Sequence, residues 1–353
     1  MPRKLQVKGR LRTAVGVLWV LIAAAVAFYM IADRSSELTG IAGVFSHLNY
    51  YFLLPAIIFE GASMAAYVQL MRSTLAASGT DAGFWRVSAV FLASNSINNA
   101  VPGGTAFASV YLYRRFRDIG ASEGVSGWTV VAANVLAGLS LLLLAFVGLV
   151  LSEGSVSGIS LTGSLASIAV VFIAAIVVVA RAEKFTALAG AFLGFLERKL
   201  DVSWKTTRKV IEIARDIKVI SPSASRLTRA FSWGMANWVF DATVLVIVYY
   251  ATKSPVPYTG LLLAYSAGQL AANLPITPGG LGIVEGSISI ALVAYGGNQE
   301  ASIAAVLLYR FFSFWIWLLP GLGCYIGLRW KSRSKQPSQS SDGEPLVLES
   351  KDE

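Results

Sequence analysis

The chain has 353 residues and a formal net charge of +9, with 55% hydrophobic and 14% charged residues and a mean hydropathy of +0.63. A soluble globular protein carries roughly 25% charged residues, so the composition excludes a water-exposed surface of ordinary size. The basic excess is placed as a membrane-orientation signal rather than as a nucleic-acid footprint, and no nucleic-acid partner is expected.

A membrane-spanning helix needs about 20 consecutive apolar residues. In chain order, five basic residues lie within Met1–Arg12, ahead of the apolar run Val15–Ala32. That run resembles a signal peptide, but it is long and Ala32-Asp33-Arg34 is a poor cleavage site, so an uncleaved first span is predicted. The second run, Tyr51–Leu70, carries Glu60 near its centre. Val87–Tyr113 follows, interrupted by Asn98-Asn99-Ala100-Val101-Pro102-Gly103-Gly104-Thr105, which breaks a helix. Val125–Leu151 and Leu161–Ala180 read as two further spans. The connection 181–230 holds eleven basic and five acidic residues, and within it Val202–Ile220 predicts an amphipathic helix lying on an anionic leaflet. Phe231–Ala251 is the next span, with Asp241 at its centre. Tyr258–Tyr295 is the second interrupted segment, broken at Asn273-Leu274-Pro275-Ile276-Thr277-Pro278-Gly279-Gly280-Leu281-Gly282. Ala301–Leu328 is the last run and contains Arg310; residues 336–353 are rich in Ser, Gly and acids and predict a disordered tail. None of these runs alternates as barrel strands do, and backbone groups in lipid must otherwise be satisfied within a helix.

The expected fold is therefore all-α: a polytopic helical membrane protein with about six full spans and two broken, re-entrant segments. The membrane domain is expected over 1–330 and the cytoplasmic tail over 331–353. Basic residues crowd alternate connections, which predicts a cytoplasmic (inner or plasma) membrane location with both termini cytoplasmic. Parity then requires Val87–Tyr113 to dip from the inside and Tyr258–Tyr295 from the outside. Paired, oppositely oriented, Gly/Pro-interrupted segments are the mark of inverted-repeat transporters, whose substrate sites lie near the midplane. Each half also carries a Leu-Tyr-Arg tract, at 112–114 and 308–310.

A helix restarting after a break offers free N–H groups and the positive end of its dipole, and glycine lets an anion approach them. The expected substrate-binding residues are Asn98, Asn99, Pro102, Gly103 and Gly104 in the first half. In the second half they are Asn273, Pro278, Gly279, Gly280, Gly282, Glu285 and Arg310, with Asn95 and Gln269 as further donors. The amides fit ordinary interhelical hydrogen bonding equally well. A charge at the bilayer centre costs at least ~2.5–3.5 kcal/mol, so Glu285 and Arg310 are either a packing pair or a head-group site. Glu60 and Asp241 are candidate proton carriers. The lone Cys324 and lone His47 give no metal or disulfide framework, and no cofactor motif is present.

At these residues the sequence resembles the flippase-like family represented by the transmembrane region of lysylphosphatidylglycerol synthases, the multiple peptide resistance factors. The resemblance rests on Pro278-Gly279-Gly280-Leu281-Gly282-Ile283-Val284-Glu285, then Gly296, Ala301, Leu308-Tyr309-Arg310, Phe314-Trp315 and Pro320-Gly321. Asn98–Gly104, Tyr113-Arg114, Trp238 and Asp241-Ala242 support it, and it covers roughly residues 10–330. It implies a membrane domain that moves lipid head groups between leaflets, acting on phospholipids or polyprenyl-linked lipids. About 25 residues follow the last span, too few for the synthases' soluble aminoacyl-transferase domain, so lysyl transfer is not expected and the chain is read as a non-enzyme. Membrane lipids are the expected partners. An integral membrane transferase, or a non-transporting partner of a lipid-biosynthetic enzyme, stays open as an alternative; no oligomeric state is legible.

Overall fold

The computed structural model describes residues 43–77, 79–152, 224–273 and 276–333. All regular structure among them is helical. The predicted spans Val15–Ala32 and Leu161–Ala180, the amphipathic helix Val202–Ile220 and the tail from residue 334 lie outside the described residues.

Four described helices are long and apolar enough to cross a membrane. They are α1 (Leu53–Ala77), α4 (Glu123–Leu151), α5 (Ala224–Ala251) and the last span. That last span runs through α8 (Gln299–Arg310), a turn of π-helix at Phe311–Trp315, and α9 (Ile316–Arg333). Two boundaries differ from expectation. The helix α5 begins at Ala224, inside the predicted connection, and α9 runs to Arg333, into the predicted tail. In both cases the helix continues past its apolar stretch into polar residues, where hydropathy carries no signal but the hydrogen-bond ladder persists.

Between the spans lie two helical hairpins: α2 (Phe84–Ala100) with α3 (Gly104–Asp118), and α6 (Tyr258–Ala272) with α7 (Ile283–Ala294). The arms of each hairpin pack on one another. The two halves thus share one order of parts: span, broken hairpin, span. Their contacts are reciprocal, with α2 packing on α9 of the other half and α6 on α4 of the other half.

The corresponding spans α1 and α5 run antiparallel. Asn49 donates its N–H to the Ala251 carbonyl, Asn237 bonds Ser63, and Arg226 reaches the Ala76 carbonyl. Because α1 and α5 hold equivalent places, antiparallel packing means that the halves are inverted relative to one another. Each hairpin is clamped in its own apolar cluster. Leu70, Met71, Leu75, Val87 and Phe116 surround the first, and Leu245, Tyr249, Tyr265, Ile288 and Leu292 the second. Exposed Ile57, Ile58, Val110, Ile290 and Leu319 face outward as a lipid-compatible surface.

Close approach of the halves depends on one glycine in each crossing. A Cβ on Gly148 would lie 2.6 Å from the Leu263 backbone nitrogen, and one on Gly321 would lie 2.3 Å from the Leu92 carbonyl oxygen. Small residues let membrane helices meet at backbone distance. Gly148→Leu and Gly321→Leu should each cost about 1–3 kcal/mol by overpacking and lower the melting temperature in detergent. Gly323→Leu, where a Cβ would meet nothing within 4 Å, should leave it unchanged.

Basic residues collect at one end of the bundle. Arg86, Arg117, Arg226 and Arg329 lie there, at the ends of α2, α3, α5 and α9, whereas Lys253 is at the other end beside Tyr50 and Tyr51. Exposed aromatics mark both ends: Trp85 and Trp330 at the basic one, Tyr51 and Tyr258 opposite, as expected of interfacial belts.

Candidate functional site

The two hairpins break for the same local reason. Val101 precedes Pro102 and Thr277 precedes Pro278, and a residue before proline is pushed out of the helical region. Val101 is extended at φ −136° and Thr277 at φ −123°. The following glycines then adopt one conformation, Gly103 at φ 65°, ψ 22° and Gly279 at φ 56°, ψ 22°, in the left-handed region that only glycine enters freely. After that the halves diverge. The helix α3 restarts at once at Gly104, whereas α7 restarts only after Gly282.

The tips touch. A Cβ on Gly279 would sit 3.3 Å from the Asn99 Cα, so the two breaks meet between the two apolar clusters. Beside them lies a cavity of about 330 Å³. Its wall comes from both hairpins and from α1, α4, α5 and α8. The lining is mixed, and for a chain this apolar it is rich in amides, with Asn98, Asn99, Asn134, Asn237, Gln269 and Asn273 among its residues.

Of the residues expected from sequence, Asn98, Asn99, Gly103, Gly104, Asn273, Gly279, Arg310, Glu60 and Asp241 line the cavity. Asn98 accepts from the Thr105 hydroxyl at 2.9 Å and donates to Asn99 at 3.2 Å, which ties the first break to the start of α3. Pro102, Pro278, Gly280, Gly282 and Glu285 are not at the wall. The two prolines set the breaks, and Gly280 is buried against Ala272.

At the start of α7 the Gly282 N–H is engaged by a side chain of the helix itself. Glu285 Oε2 accepts the Gly282 N–H at 2.7 Å, while Oε1 accepts from Arg310 Nε at 2.7 Å. The Arg310 Nη2 donates to the Gly279 carbonyl at 2.9 Å, and its guanidinium lies 4.5 Å from the Phe314 ring centroid. Arg310 therefore joins the last span, the second break and α7 in one knot. The π-helical turn at Phe311–Trp315, with Pro320 one turn further on, is the irregularity that aims Phe314 at this knot.

Glu60 and Asp241 fall opposite one another in the antiparallel α1–α5 register that the Asn237–Ser63 bond sets, and both line the cavity. Both are buried. Asp241 Oδ2 accepts from Tyr265 at 2.6 Å and from Tyr309 at 3.0 Å, and Gln269 Nε2 donates to the Tyr309 hydroxyl at 2.6 Å.

Asn134, Asn237 and Tyr309 are among the lining residues not expected from sequence. In the sequence Asn134 and Asn237 stand only as lone amides inside apolar runs, and Tyr309 only as part of a Leu-Tyr-Arg tract. Pro102 and Pro278 are 176 residues apart, as are Asn134 and Arg310, so Asn134 takes in the first half the place that Arg310 takes in the second. The two Leu-Tyr-Arg tracts are not equivalent, because Leu112-Tyr113-Arg114 sits on a hairpin arm and Leu308-Tyr309-Arg310 on the last span.

Two curated relatives are similar over most of their length. One is a UPF0104 membrane protein of Methanothermobacter thermautotrophicus, 22% identical over 279 residues, covering 75% of this chain and 82% of that one. The other is a UPF0104 membrane protein of Pyrococcus horikoshii, 23% identical over 286 residues, covering 76% and 85%. The family model of the lysylphosphatidylglycerol synthase TM region matches residues 11–321. With its inverted halves and paired Pro-Gly-Gly breaks, this multi-pass membrane chain belongs to that family.

Proposed function

We propose that the cavity receives the polar head group of a membrane lipid and that the protein passes it between leaflets. The observation that carries this reading is the meeting of two inverted, broken hairpins at one amide-rich cavity inside a lipid-facing shell. Non-helical backbone at membrane depth is tolerated where it borders protein or a wet cavity, and inverted repeats broken at the midplane are the geometry of alternating access. The head group is phosphate-bearing, on a phospholipid or a polyprenyl-linked lipid. The first turn of α3 has no side-chain cap and borders the cavity at Gly103–Thr105, which suits an anion, with Asn98 and Asn99 as neighbouring donors. Arg310, although held by Glu285, keeps the cavity wall from being purely acidic.

In this reading the basic end of the bundle is cytoplasmic, the membrane is the cytoplasmic one, and the chain moves lipid without making or breaking covalent bonds. A lipid-biosynthetic enzyme would supply its cargo.

The test is reconstitution into liposomes with fluorescent phospholipid and polyprenyl-phosphate analogues. Wild type should move at least one class across the bilayer. Asn134→Trp, which fills the cavity from the α4 wall, should slow it at least tenfold. Val131→Trp, on the outward face of the same helix, should not. Wild-type protein that moves neither class, or movement indifferent to Asn134→Trp, would sink the reading.

A further inference from the structure

Glu60 and Asp241 pose an accounting problem that head-group binding does not resolve. Both side chains are more than nine-tenths buried, Glu60 at 2% and Asp241 at 7% exposure. The Asn237–Ser63 bond fixes the antiparallel register of α1 and α5 that sets them opposite one another on the cavity wall. Yet Glu60 Oε2 and Asp241 Oδ1 have no hydrogen-bond partner among the described residues. An orphaned carboxylate oxygen away from water is costly, and two ionised carboxylates in contact repel one another as well.

The charged and titratable groups around the pair come from several helices. Tyr265 of α6 and Tyr309 of α8 both donate to Asp241 Oδ2. Tyr67 of α1 lines the same cavity. Arg310 is the nearby cation, but its Nε and Nη2 are committed to Glu285 and the Gly279 carbonyl. The described part of α4 presents only amide and apolar groups to the cavity, with Asn134 its polar member.

We propose that Glu60 and Asp241 form a proton-binding site, in which one proton held on Glu60 bridges to Asp241 Oδ1. The division of roles follows from the donors. Asp241 receives two phenol hydroxyls and a long contact from Gln269 at 3.4 Å, which stabilise its negative charge. Glu60 receives no such donor among the described residues, so the acid form belongs to it. A single proton satisfies both orphan oxygens and removes the like-charge contact.

The site lies on the cavity wall beside Ser63, Asn237 and Trp238. The step is a transfer of H⁺ between Glu60 and solvent in the cavity, with no electron transfer.

Infrared difference spectroscopy on the purified full chain in nanodiscs tests this without any lipid movement, so it stands or falls apart from the transport reading. At pH 7.5 wild type should show the C=O stretch of a protonated carboxyl group, shifted down in D₂O, although exposed Asp and Glu are ionised there. Glu60→Gln should lose that band. Asp241→Asn should keep it at a shifted frequency, because Glu60 then bonds an amide, and this variant serves if Glu60→Gln does not fold. No such band in wild type, a band that survives Glu60→Gln, or one unmoved in Asp241→Asn would overturn the proposal. So would a band absent only when Na⁺ is present, which would make the pair a metal-cation site instead.

Discussion

Arg310→Ala should be the most damaging single substitution in the described structure. It removes one partner of a largely buried ion pair, strands the partly exposed Glu285 with only the Gly282 N–H, and leaves the Gly279 carbonyl without its donor. Breaking a fully buried pair costs about 3–5 kcal/mol because an uncompensated charge stays behind, and the partial exposure of Glu285 puts the expected loss at the lower end of that range. Thermal melting in detergent and the yield of monodisperse protein would report it. Arg310→Lys should not restore stability, since an ammonium lacks the fork that reaches both Glu285 and the carbonyl. Glu285→Gln should cost less, because an amide oxygen still accepts from Gly282 or Arg310. The double variant Glu285→Gln with Arg310→Met should be milder than Arg310→Ala alone. Equal melting of wild type and Arg310→Ala would mean that the knot is ornamental.

Gly104→Ala is the second large expectation. A Cβ there would lie 2.1 Å from the Asn98 carbonyl oxygen and 2.6 Å from its carbon. These are backbone atoms of the preceding helix and cannot swing aside, so the tip of the first hairpin must open. A cost of about 1–3 kcal/mol follows from overpacking alone. The cavity should suffer more than the fold, because Asn98 and Thr105 lose their register. Lipid movement should fall by at least tenfold, while melting drops only moderately. Gly282→Ala provides the contrast. Its Cβ would meet nothing within 4 Å, although its φ of 82° still strains an alanine; movement should be better preserved there than in Gly104→Ala.

These two sites show why some of the architecture could be read from sequence. Proline and glycine impose backbone conformations with little help from tertiary context, so Val101-Pro102-Gly103 and Thr277-Pro278-Gly279 broke their helices as expected. The long apolar runs at α1, α4, α5 and the last span were legible for a related reason, since lipid exposure demands apolarity along the whole helix. The pairing of distant residues was not legible. Glu60 and Asp241 meet only because α1 and α5 pack antiparallel, and nothing within either run announces that. The self-capping of α7 is legible in sequence. Glu285 stands at the third helical position after Gly282, the spacing at which a glutamate caps its own helix, and its carboxylate takes the Gly282 N–H. Asn134 was passed over because one amide in a 29-residue apolar helix is also what ordinary helix packing uses. Only the repeat, which sets it against Arg310, distinguishes it.

The claim that organises this account is that the two hairpins enter from opposite faces of the membrane and meet at one cavity. Single cysteines at Asp118, beside the base of the first hairpin, and at Glu300, beside the base of the second, test it directly. Both positions are exposed, and Cys324→Ser provides the background without the native thiol. In intact cells an impermeant maleimide should label the cysteine at Glu300 and spare the one at Asp118, with permeabilisation exposing the latter. Labelling of both from the same side would place the hairpins on one face and end the inverted-repeat account, and the transport reading with it.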